Sequence, residues 1–466
     1  MPFSEFLNSR RQDCKDLVAE LSKSYSYVSI LGSDVRSTAV RANRSTSAIG
    51  EGSMSECGFV ITLHNGRSFF EYSLDDVQGD KKALAETILS ALKVDASLED
   101  RSIEVAKIRD EAMVKSFARD CDFDRYTDED LLDFAKKYKD EILAADEKML
   151  NATVAILPFT VSKLFVTKNR ELDQFYSWVN ILAMAVYRDG KIVSAREGTY
   201  SNLMSEAMEQ FPAKIPLLVE KAKKLATAKP IVPGVYDVIT DPSISGLIAH
   251  EAFGHGVEMD QFVKDRALAK QYVGDYVASP LCNMKDGAAS ALSTASYFFD
   301  DHGVLAHDTQ IIKDGILVSG ISDLVSASEL GTEPTGNGRR QSYKRKAYSR
   351  MTNTFFEAGN DKLEDMIASI KHGYMLFETN NGMEDPKNWQ IQCTAEYGIE
   401  IVDGKLTDNY VSPVVMSGSV PELLKSISMV SDEFKVIGSG SCGKGYKEWV
   451  RVSDGGPALK VKVKLA

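Results

Sequence analysis

The sequence predicts an α+β protein in which an α/β N-terminal domain, residues 1–229, precedes a β-rich C-terminal domain, residues 230–466. Three observations lead to this prediction. The chain has 466 residues, which is more than one ordinary domain holds. Helical and strand-like patterns alternate in the first half, whereas strand and turn signals dominate the second. Between the halves, Pro230 and Pro233 interrupt the chain and place the boundary near 229–234.

The N-terminal domain is predicted to combine helices with an antiparallel sheet. Apolar residues recur at helical spacing over the first 25 residues, which indicates an amphipathic helix. Short β-rich runs follow from Tyr27 to Tyr72 as a meander, with His64-Asn65-Gly66 as a hairpin turn. Asp128 is predicted to be the N-cap of a later helix. The other segments are expected as helices over 81–95, 128–146 and 213–228 and as strands over 152–168, 176–188 and 191–199.

The C-terminal domain is predicted to consist mainly of strands joined by tight turns. Lys313-Asp314-Gly315 and Asp403-Gly404-Lys405 are typical of hairpin turns between such strands. Three helices are expected to interrupt the strands, near 243–256, 361–373 and 421–428.

Composition and charge exclude several classes of protein. Hydrophobic residues make up 44% of the chain and charged residues 26%, which excludes disordered, collagenous and coiled-coil proteins. The net charge of −12 repels nucleic-acid phosphates and anionic membranes, so neither is expected as a partner. The sequence shows no apolar leader and no run of the roughly 18 apolar residues that span a membrane, so a cytoplasmic protein is expected. The six cysteines form no CxxC pair and are expected to be reduced thiols.

The pattern HEAFGH carries His250, Glu251 and His255 on one helical run. In zinc peptidases of the HExxH type the histidines are four residues apart, so both reach one metal ion. Here the spacing is five, about 140° around an α-helix, which is too far for both imidazoles to converge. A metal site therefore requires a π-type turn or the end of the helix, and Gly254 and Gly256 make that departure sterically easy. The alternative is a helix with two unrelated histidines.

A zinc site needs a third protein ligand, and a thiolate is an acceptable partner for two imidazoles. Cys442 is favoured because it lies in a glycine-rich loop, Gly438–Gly445, whose backbone can approach a metal closely. Cys393 lies in a strand-like run and is expected to be an ordinary buried thiol, while Cys282 and the carboxylates stay open as ligands. Three protein ligands leave an open position for catalysis, whereas a fourth would make the site structural.

The same glycine-rich segment raises a nucleotide-binding hypothesis, because residues 438–444 spell GxxxxGK, the opening of a phosphate-binding loop. Gly445 replaces the Ser or Thr that would hold magnesium. The residues that follow are typical of a strand, where the motif requires a helix. Both departures argue against nucleotide binding.

Two further polar stretches have competing interpretations. Arg339, Arg340 and Tyr343 are candidates for substrate binding or oxyanion stabilisation, because paired guanidinium groups can grip a peptide carboxylate or carbonyls. They are also consistent with a solvated Pro/Gly-rich loop. Asp300-Asp301-His302 could ligate a hard metal, but a solvated loop is the expected structure.

Taken together, these segments resemble the TldD side of the TldD/PmbA metalloprotease family. The resemblance is strong over residues 230–460 and diffuse before them. It rests on the segments HEAFGHGVEMD (250–260), EPTGNGRRQSY (333–343), RMTNTF (350–355) and GSCGKG (440–445).

The resemblance implies zinc ligands at His250, His255 and Cys442 and a catalytic glutamate at Glu251. Because related inactive subunits lack these residues, it implies an active, zinc-dependent metallopeptidase whose C-terminal domain is catalytic. It also implies a homodimer, or a heterodimer with a related inactive subunit, that encloses a cavity and cleaves extended or unfolded peptides. Residues 379–398 depart from the family, in which this segment is glycine-rich.

Two functions are therefore weighed. The first is a zinc peptidase whose substrate docks by adding a strand to a sheet edge. The second is a catalytically inactive peptide-binding or scaffolding subunit with a structural metal site.

Overall fold

The computed structural model of the chain describes residues 3–66, 68–92, 108, 110–289, 291–445 and 448–466. Its mixture of helices and extended sheets confirms the predicted α+β class. Among the helices in these ranges, none is both long and apolar enough to cross a membrane.

The N-terminal elements form one eight-stranded sheet with helices packed against it. The helices are α1 (Glu5–Leu21), α2 (Lys81–Ala91), α3 (Asp128–Ala144), α4 (Met204–Gln210) and α5 (Lys214–Thr227). The strands are β1 (Tyr27–Asn43), β2 (Ser47–Glu51), β3 (Glu56–His64), β4 (Phe69–Leu74), β5 (Met113–Ala118), β6 (Met149–Thr167), β7 (Arg170–Asp189) and β8 (Lys191–Ser201). Their order is β4-β3-β1-β6-β7-β5, with β2 beside β1 and β8 beside β7.

Two features of this sheet differ from the predicted antiparallel meander. Strand β1 is one continuous strand of 17 residues rather than several short runs. A Cβ at Gly32 would meet the side chains of Leu7 and Phe59 at 2.8 Å, so this glycine makes room for α1 instead of turning the chain. Strand β5 pairs with β7 in parallel, while the other pairs of this sheet are antiparallel.

The structure contains the predicted Asn-Gly turn, whereas one predicted helix cap is displaced. The Asn-Gly turn joins β3 to β4, and Gly66 has a φ of 96° there. The prediction of Asp128 as N-cap is wrong by one residue. Thr127 caps α3, and its hydroxyl and the Asp130 carboxylate form a reciprocal capping box.

The C-terminal elements form a barrel and a second large sheet. The helices are α6 (Pro242–Leu247), α7 (Met259–Val263), α8 (Leu324–Leu330), α9 (Leu363–Ala368) and α10 (Val420–Lys425). The strands are β9 (Gly234–Thr240), β10 (Met284–Gly287), β11 (Asp308–Lys313), β12 (Ile316–Leu317), β13 (Gly338–Arg339), β14 (Tyr348–Ser349), β15 (Asn353–Phe356), β16 (His372–Asp385), β17 (Gln390–Val402), β18 (Lys405–Val411), β19 (Val414–Ser419), β20 (Met429–Val430), β21 (Lys435–Lys444), β22 (Glu448–Gly456) and β23 (Leu459–Leu465).

The barrel closes because β16, β9, β23, β19 and β17 pair in that order and β17 pairs again with β16. The second sheet has the order β12-β11-β10-β15-β22-β21, which leaves β21 at its edge. Helix α6 and the residues after it lie between the two, in contact with β16 of the barrel and β22 of the sheet. One hydrophobic core, including Ile248, Leu376 and Val452, spans all three parts.

The sheets divide where the prolines predict a boundary. The eight-stranded sheet ends with Ser201 and the C-terminal strands begin with Gly234. Helices α4 and α5 occupy most of the intervening chain, and the limits 1–229 and 230–466 stay a prediction about domains.

The prediction of a solvated loop at Asp300-Asp301-His302 is wrong, because all three side chains are buried against the N-terminal sheet. Lys163 of β6 forms an ion pair with Asp301. Asp300 accepts a hydrogen bond from the backbone N–H of Gly338 at 2.8 Å. The segment is thus part of the contact between the two halves of the chain.

Candidate metal centre

The motif helix changes its winding where the histidines require it. Helix α6 begins at the N-cap Asp241, whose carboxylate accepts the N–H of Ile244 at 2.8 Å. It continues as a π-helix over Ile248–Gly254 and then as a 3₁₀ turn over His255–Val257. Because a π-helix bonds residue i to residue i+5, positions five apart lie one turn apart. The loosening that the spacing of His250 and His255 predicts is therefore present.

Glycine is needed at position 254 for close packing and not for the predicted conformational freedom. Its φ of −60° and ψ of −49° are those of an ordinary helix. A Cβ at this position would lie 2.1 Å from Sδ of Met351. The glycine therefore allows the π-helical turn to pack closely against the chain before β15.

Three predicted ligands converge at this turn. One donor atom each from His250, His255 and Cys442 lie within 4.8 Å of one another. Sγ of Cys442 is 3.4 Å from Nε2 of His255, and the two imidazole rings stand nearly perpendicular, with centroids 5.1 Å apart. Cys442 and His250 are buried, and His255 is partly exposed.

The prediction that Cys442 lies in a loop is wrong. It lies in strand β21, opposite Val450 of β22. Glycines in this segment serve close packing: a Cβ at Gly438 would lie 2.6 Å from the Trp178 ring, and one at Gly440 would lie 2.8 Å from the carbonyl oxygen of Val452. A strand-to-strand hairpin also lacks the helix that a phosphate-binding loop requires, which agrees with the argument against nucleotide binding.

The electrostatics of the cluster favour a thiolate. Burial alone would raise the pKa of the Cys442 thiol, but the neighbouring His255 and His250 hold that pKa well below its ordinary value. Burial opposes the imidazolium form of His250, but Cys442 outweighs it and raises the pKa of His250 to about 8. The three groups thus stabilise charge on one another, and a bound cation would replace the imidazole protons as the partner of the thiolate.

Glu258 fixes the orientation of the second histidine. Its Oε2 lies 3.1 Å from Nδ1 of His255, which leaves Nε2 directed at Cys442. Glu258 is itself 1% exposed and receives a hydrogen bond of 2.9 Å from Nζ of Lys444. Nζ of Lys444 also donates to Asp260 at 2.6 Å. Cys442 and Lys444, two residues apart on β21, therefore point to the same side, Cys442 to the candidate metal ligands and Lys444 to the carboxylates beside them.

The charge of Glu258 depends on these partners. Burial would raise the pKa of Glu258, but Lys444 and His255 outweigh it and lower that pKa below its ordinary range. Arg350 adds a third cation, with Nε 3.8 Å from Oε1 of Glu258. A carboxylate that holds a ligating histidine in this way is the usual outer support of a metal site.

Glu251 lies at the rim of the cluster. Its Oε2 is 4.0 Å from Nε2 of His255, and its side chain is 16% exposed. The hairpin of β16 and β17, which contains the divergent segment 379–398, closes over it. A Cβ at Gly382 of this hairpin would lie 2.5 Å from Cγ of Glu251. The divergent segment thus forms one wall beside the carboxylate.

The side chains of Arg339, Arg340 and Tyr343 bind groups other than the candidate metal ligands. Arg339 donates to the carbonyl oxygens of Met351 and Arg451 at 2.7 and 2.6 Å. Arg340 pairs with Glu71 at 2.8 Å, and the hydroxyl of Tyr343 donates to Asp75, so both residues join the two halves of the chain.

Sequence reasoning did not single out Glu258, Lys444 or Gly382. For Glu258 a signal existed, because it follows His255 by three residues and so lies on the same side of a helical turn. Lys444 was part of the nucleotide-binding pattern and of the segment GSCGKG, but neither assigned it a role beside the metal ligands. Gly382 gave no local signal, since its neighbour Glu251 is 131 residues earlier in the chain.

Comparison with known proteins agrees with these observations. The family model described as the PmbA/TldA metallopeptidase C-terminal domain matches residues 233–465. A metalloprotease of Methanothermobacter thermautotrophicus is 28% identical over 416 residues, which cover 87% of each chain. The metalloprotease slr0863 of Synechocystis is 30% identical over 328 residues, or 70% of each chain. A zinc metalloprotease TldD homolog of Saccharolobus solfataricus is 29% identical over 303 residues, which cover 64% of this chain and 67% of that one.

Solved structures share the fold over nearly the whole length. TldE from Thermococcus kodakarensis aligns with a TM-score of 0.73 and 18% identity, covering 97% of this chain and 100% of the other. A Thermotoga maritima protein whose proposed role is modulation of a DNA gyrase aligns with a TM-score of 0.76 and 19% identity, covering 98% and 99%. At such identities the likeness concerns the fold alone. The sequence relatives and the family match carry the further conclusion that this chain is a metallopeptidase and belongs to the TldD/PmbA family.

Proposed function

We propose that the metal of this peptidase is zinc, held by His250, His255 and Cys442, and that Glu251 is the general base in the cleavage of extended or unfolded peptides. The observation that carries the proposal is the convergence of the three donor atoms within 4.8 Å at the π-helical turn.

The donor set suits zinc. Two imidazoles and a thiolate are borderline-soft ligands of the kind that zinc prefers. Nδ1 of His250 is buried with no hydrogen-bond partner among the described residues, as fits an imidazole that a bound cation would orient. The cluster found in the described part of the chain has three members, which leaves the open position that a catalytic site needs. A structural site in an inactive binding subunit would instead call for a fourth ligand.

Zinc at such a site supplies a Lewis acid that polarises a carbonyl and makes water acidic near neutral pH. Two glutamates of the chain transfer the proton and orient a ligand. Glu251 takes a proton from the attacking water on its carboxylate and delivers it to the leaving amine. Glu258 keeps His255 in the tautomer with the proton on Nδ1, so that Nε2 is free to ligate.

Substrate recognition follows from the sheet edge. Strand β21 is the last strand of its sheet and carries Cys442, so an extended peptide pairing with β21 would pass beside the cluster. We propose this strand addition as the mode of docking.

A homodimer, or a heterodimer with a related inactive subunit, is proposed as the assembly, and sedimentation of the purified chain with and without such a subunit tests it.

Metal removal and restoration test the proposed activity. The purified chain, treated with a chelator and dialysed, is expected to lose cleavage of an unfolded polypeptide and to regain it with one equivalent of zinc, because water activation depends on the metal. A folded, stable protein is the control substrate and is expected to stay intact. Cleavage that persists at full rate after verified removal of zinc would contradict the proposal.

The wall formed by the β16–β17 hairpin gives a second test. In Gly382→Ala the new methyl group would lie 2.5 Å from Cγ of Glu251 and displace its carboxylate. We expect kcat to fall by about 10- to 100-fold with zinc content unchanged, because small misplacements of a catalytic group have effects of this size. Gly418→Ala, in the neighbouring barrel strand β19, is the matched control, since nothing lies within 4 Å of its added Cβ. Equal kcat in the two variants would show that the hairpin does not position Glu251.

A further inference from the structure

Glu378, on strand β16 of the hairpin that closes over Glu251, has an unusual backbone conformation. Its φ is 58°, in the left-handed region that side chains other than glycine rarely adopt. The pairing of β16 with β17 shifts register directly after it, between Thr379 and Asn381. Such conformations persist only where the surrounding structure holds them, and they cluster at functional sites. The neighbours of Glu378 must therefore hold it in place.

The backbone of Glu378 is bound to the start of the motif helix. Its N–H donates to Oδ2 of Asp241 at 3.3 Å, while Oδ1 of the same carboxylate caps α6 through the N–H of Ile244. The next N–H, that of Thr379, donates to Oγ of Ser243 at 3.0 Å. The register shift of β16 is thus bound to the N-terminus of the helix that continues into the metal motif.

The side chain of Glu378 is bound by the N-terminal half of the chain. Its carboxylate forms an ion pair with Nζ of Lys221, on helix α5. Lys221 is 8% exposed, and its Nζ also contacts Oε1 of Glu197 and the carbonyl oxygen of Arg196, both on β8, at 2.6 Å. In addition, Nη2 of Arg196 donates to Oδ1 of Asn380 at 3.3 Å. Helix α5 and strand β8 therefore contact the hairpin at two neighbouring positions.

Helix α5 is itself held by the N-terminal sheet. Leu218 and Leu225 of this helix are buried in the same hydrophobic core as Ile181 and Ala195 of the sheet strands β7 and β8. Because that core fixes the helix, it also fixes the place from which Lys221 reaches the hairpin. The ion pair thus relates the position of the hairpin to that of the N-terminal sheet.

Lys221 remains a cation and a hydrogen-bond donor at this contact. Burial opposes its charge, but Glu378 and Glu197 outweigh burial and raise the pKa of Lys221. Burial raises the pKa of Glu378 to about 8, a shift that Lys221 opposes and the neighbouring Glu396 increases. An oxygen of Glu378 accepts from Lys221 whether or not the carboxyl group carries a proton. An amide oxygen at this position would accept in the same way.

The hairpin carries this placement to the proposed catalytic carboxylate. Gly382 follows Glu378 by four residues on the same strand, and a Cβ there would lie 2.5 Å from Cγ of Glu251. A strand rises about 3.3 Å per residue, so at most about 13 Å separates the two positions. A displacement at Glu378 therefore moves the wall beside Glu251.

We propose that Glu378 is a positioning residue of the peptidase, which holds the β16–β17 hairpin against Lys221 and the cap of the motif helix and thereby sets the position of Glu251. The inference rests on the proposed role of Glu251 as the general base. A glycine would adopt the left-handed backbone with less strain, but it would lack the side chain that reaches Lys221.

Three substitutions at position 378 separate positioning from the stability of the fold. Glu378→Ala and Glu378→Gly both remove the contact with Lys221, but only alanine retains the backbone strain, so the glycine variant is expected to melt at the higher temperature. We expect both to lose about tenfold in kcat with KM and zinc content unchanged, because small misplacements of a catalytic group have large effects. Glu378→Gln retains an acceptor for Lys221 and is expected to keep kcat within about twofold of the wild type.

Asp403→Gly is the matched control. Asp403 has a φ of 46° in the turn that joins β17 to β18. Its replacement relieves the same kind of backbone strain on the same hairpin strand without removing the contact to Lys221. We expect its kcat to equal that of the wild type.

Hydrogen exchange of the full chain measures the contact without zinc or turnover. The amides of residues 380–385 are expected to exchange at least about fivefold faster in Glu378→Ala and Glu378→Gly than in the wild type or in Glu378→Gln. Lys221→Met is expected to have the same effect, and adding Glu378→Ala to it is expected to change nothing further, because both remove one interaction. If Lys221→Met does not fold, the series at Glu378, which is 31% exposed, still decides the outcome.

Other outcomes would overturn the proposal. Wild-type kcat in both Glu378→Ala and Glu378→Gly, or unchanged exchange of residues 380–385, would show that the hairpin is not held through Glu378. Activity that follows the melting temperatures, with the glycine variant near the wild type, would leave Glu378 a purely structural role. If the wild type cleaved no peptide, the peptidase proposal would fail, while hydrogen exchange would still decide whether Glu378 holds the hairpin.

Discussion

Glu251→Gln is expected to abolish peptide cleavage while leaving zinc bound. The amide has the shape of the carboxylate but cannot take a proton from water, and general bases contribute about 10²- to 10⁴-fold to such reactions. We therefore expect kcat/KM for an unfolded peptide to fall by at least about 10³-fold. The measurement pairs the cleavage rate with the zinc content of the same preparation.

The control for this substitution is Glu147→Gln, which changes an exposed glutamate between α3 and β6 and is expected to retain full activity. Undiminished cleavage by Glu251→Gln would refute its role as the base. Loss of zinc from the same variant would identify Glu251 as a ligand instead.

Lys444→Met is expected to destabilise the fold strongly. Lys444 is the buried cation between Glu258 and Asp260, and the substitution would leave both carboxylates without it. Removing one partner of a buried ion pair typically lowers the free energy of unfolding by about 3–5 kcal/mol. Urea denaturation of the metal-free chain measures this change apart from any effect on zinc.

Lys435→Met provides the comparison on the same strand, because Lys435 is exposed at the start of β21. We expect its effect to stay within about 0.5 kcal/mol, as is usual at exposed positions. If Lys444→Met were equally mild, Glu258 would not depend on this lysine for its charge.

Some of the candidate site follows from local sequence, because its geometry is local. Two histidines five positions apart, His250 and His255, cannot both reach one metal on an α-helix, and the π-helical segment Ile248–Gly254 is the predicted solution. The third ligand, Cys442, was favoured by its glycine-rich neighbours and implied by the resemblance to known peptidases. The glycines around Cys442 indicated a loop by themselves, yet they permit close packing against Trp178 and β22.

The parts that sequence reasoning missed depend on distant partners. Asp301 is buried because Lys163, 138 residues earlier, lies in the facing sheet. Arg340 pairs with Glu71, 269 residues away, and so joins the two halves of the chain instead of lining the metal cluster. Periodicity and turn chemistry describe neighbours within a few residues, so they predict elements and local turns but not these long-range ion pairs.

The most direct test of the three-ligand centre is the metal content of the wild-type chain and of Cys442→Ala, purified in parallel without added metal. We predict about one zinc ion per chain in the wild type and its loss from the variant, because two imidazoles alone hold zinc weakly. Zinc absent from the wild type even after reconstitution, or retained in full by Cys442→Ala, would contradict the centre formed by His250, His255 and Cys442.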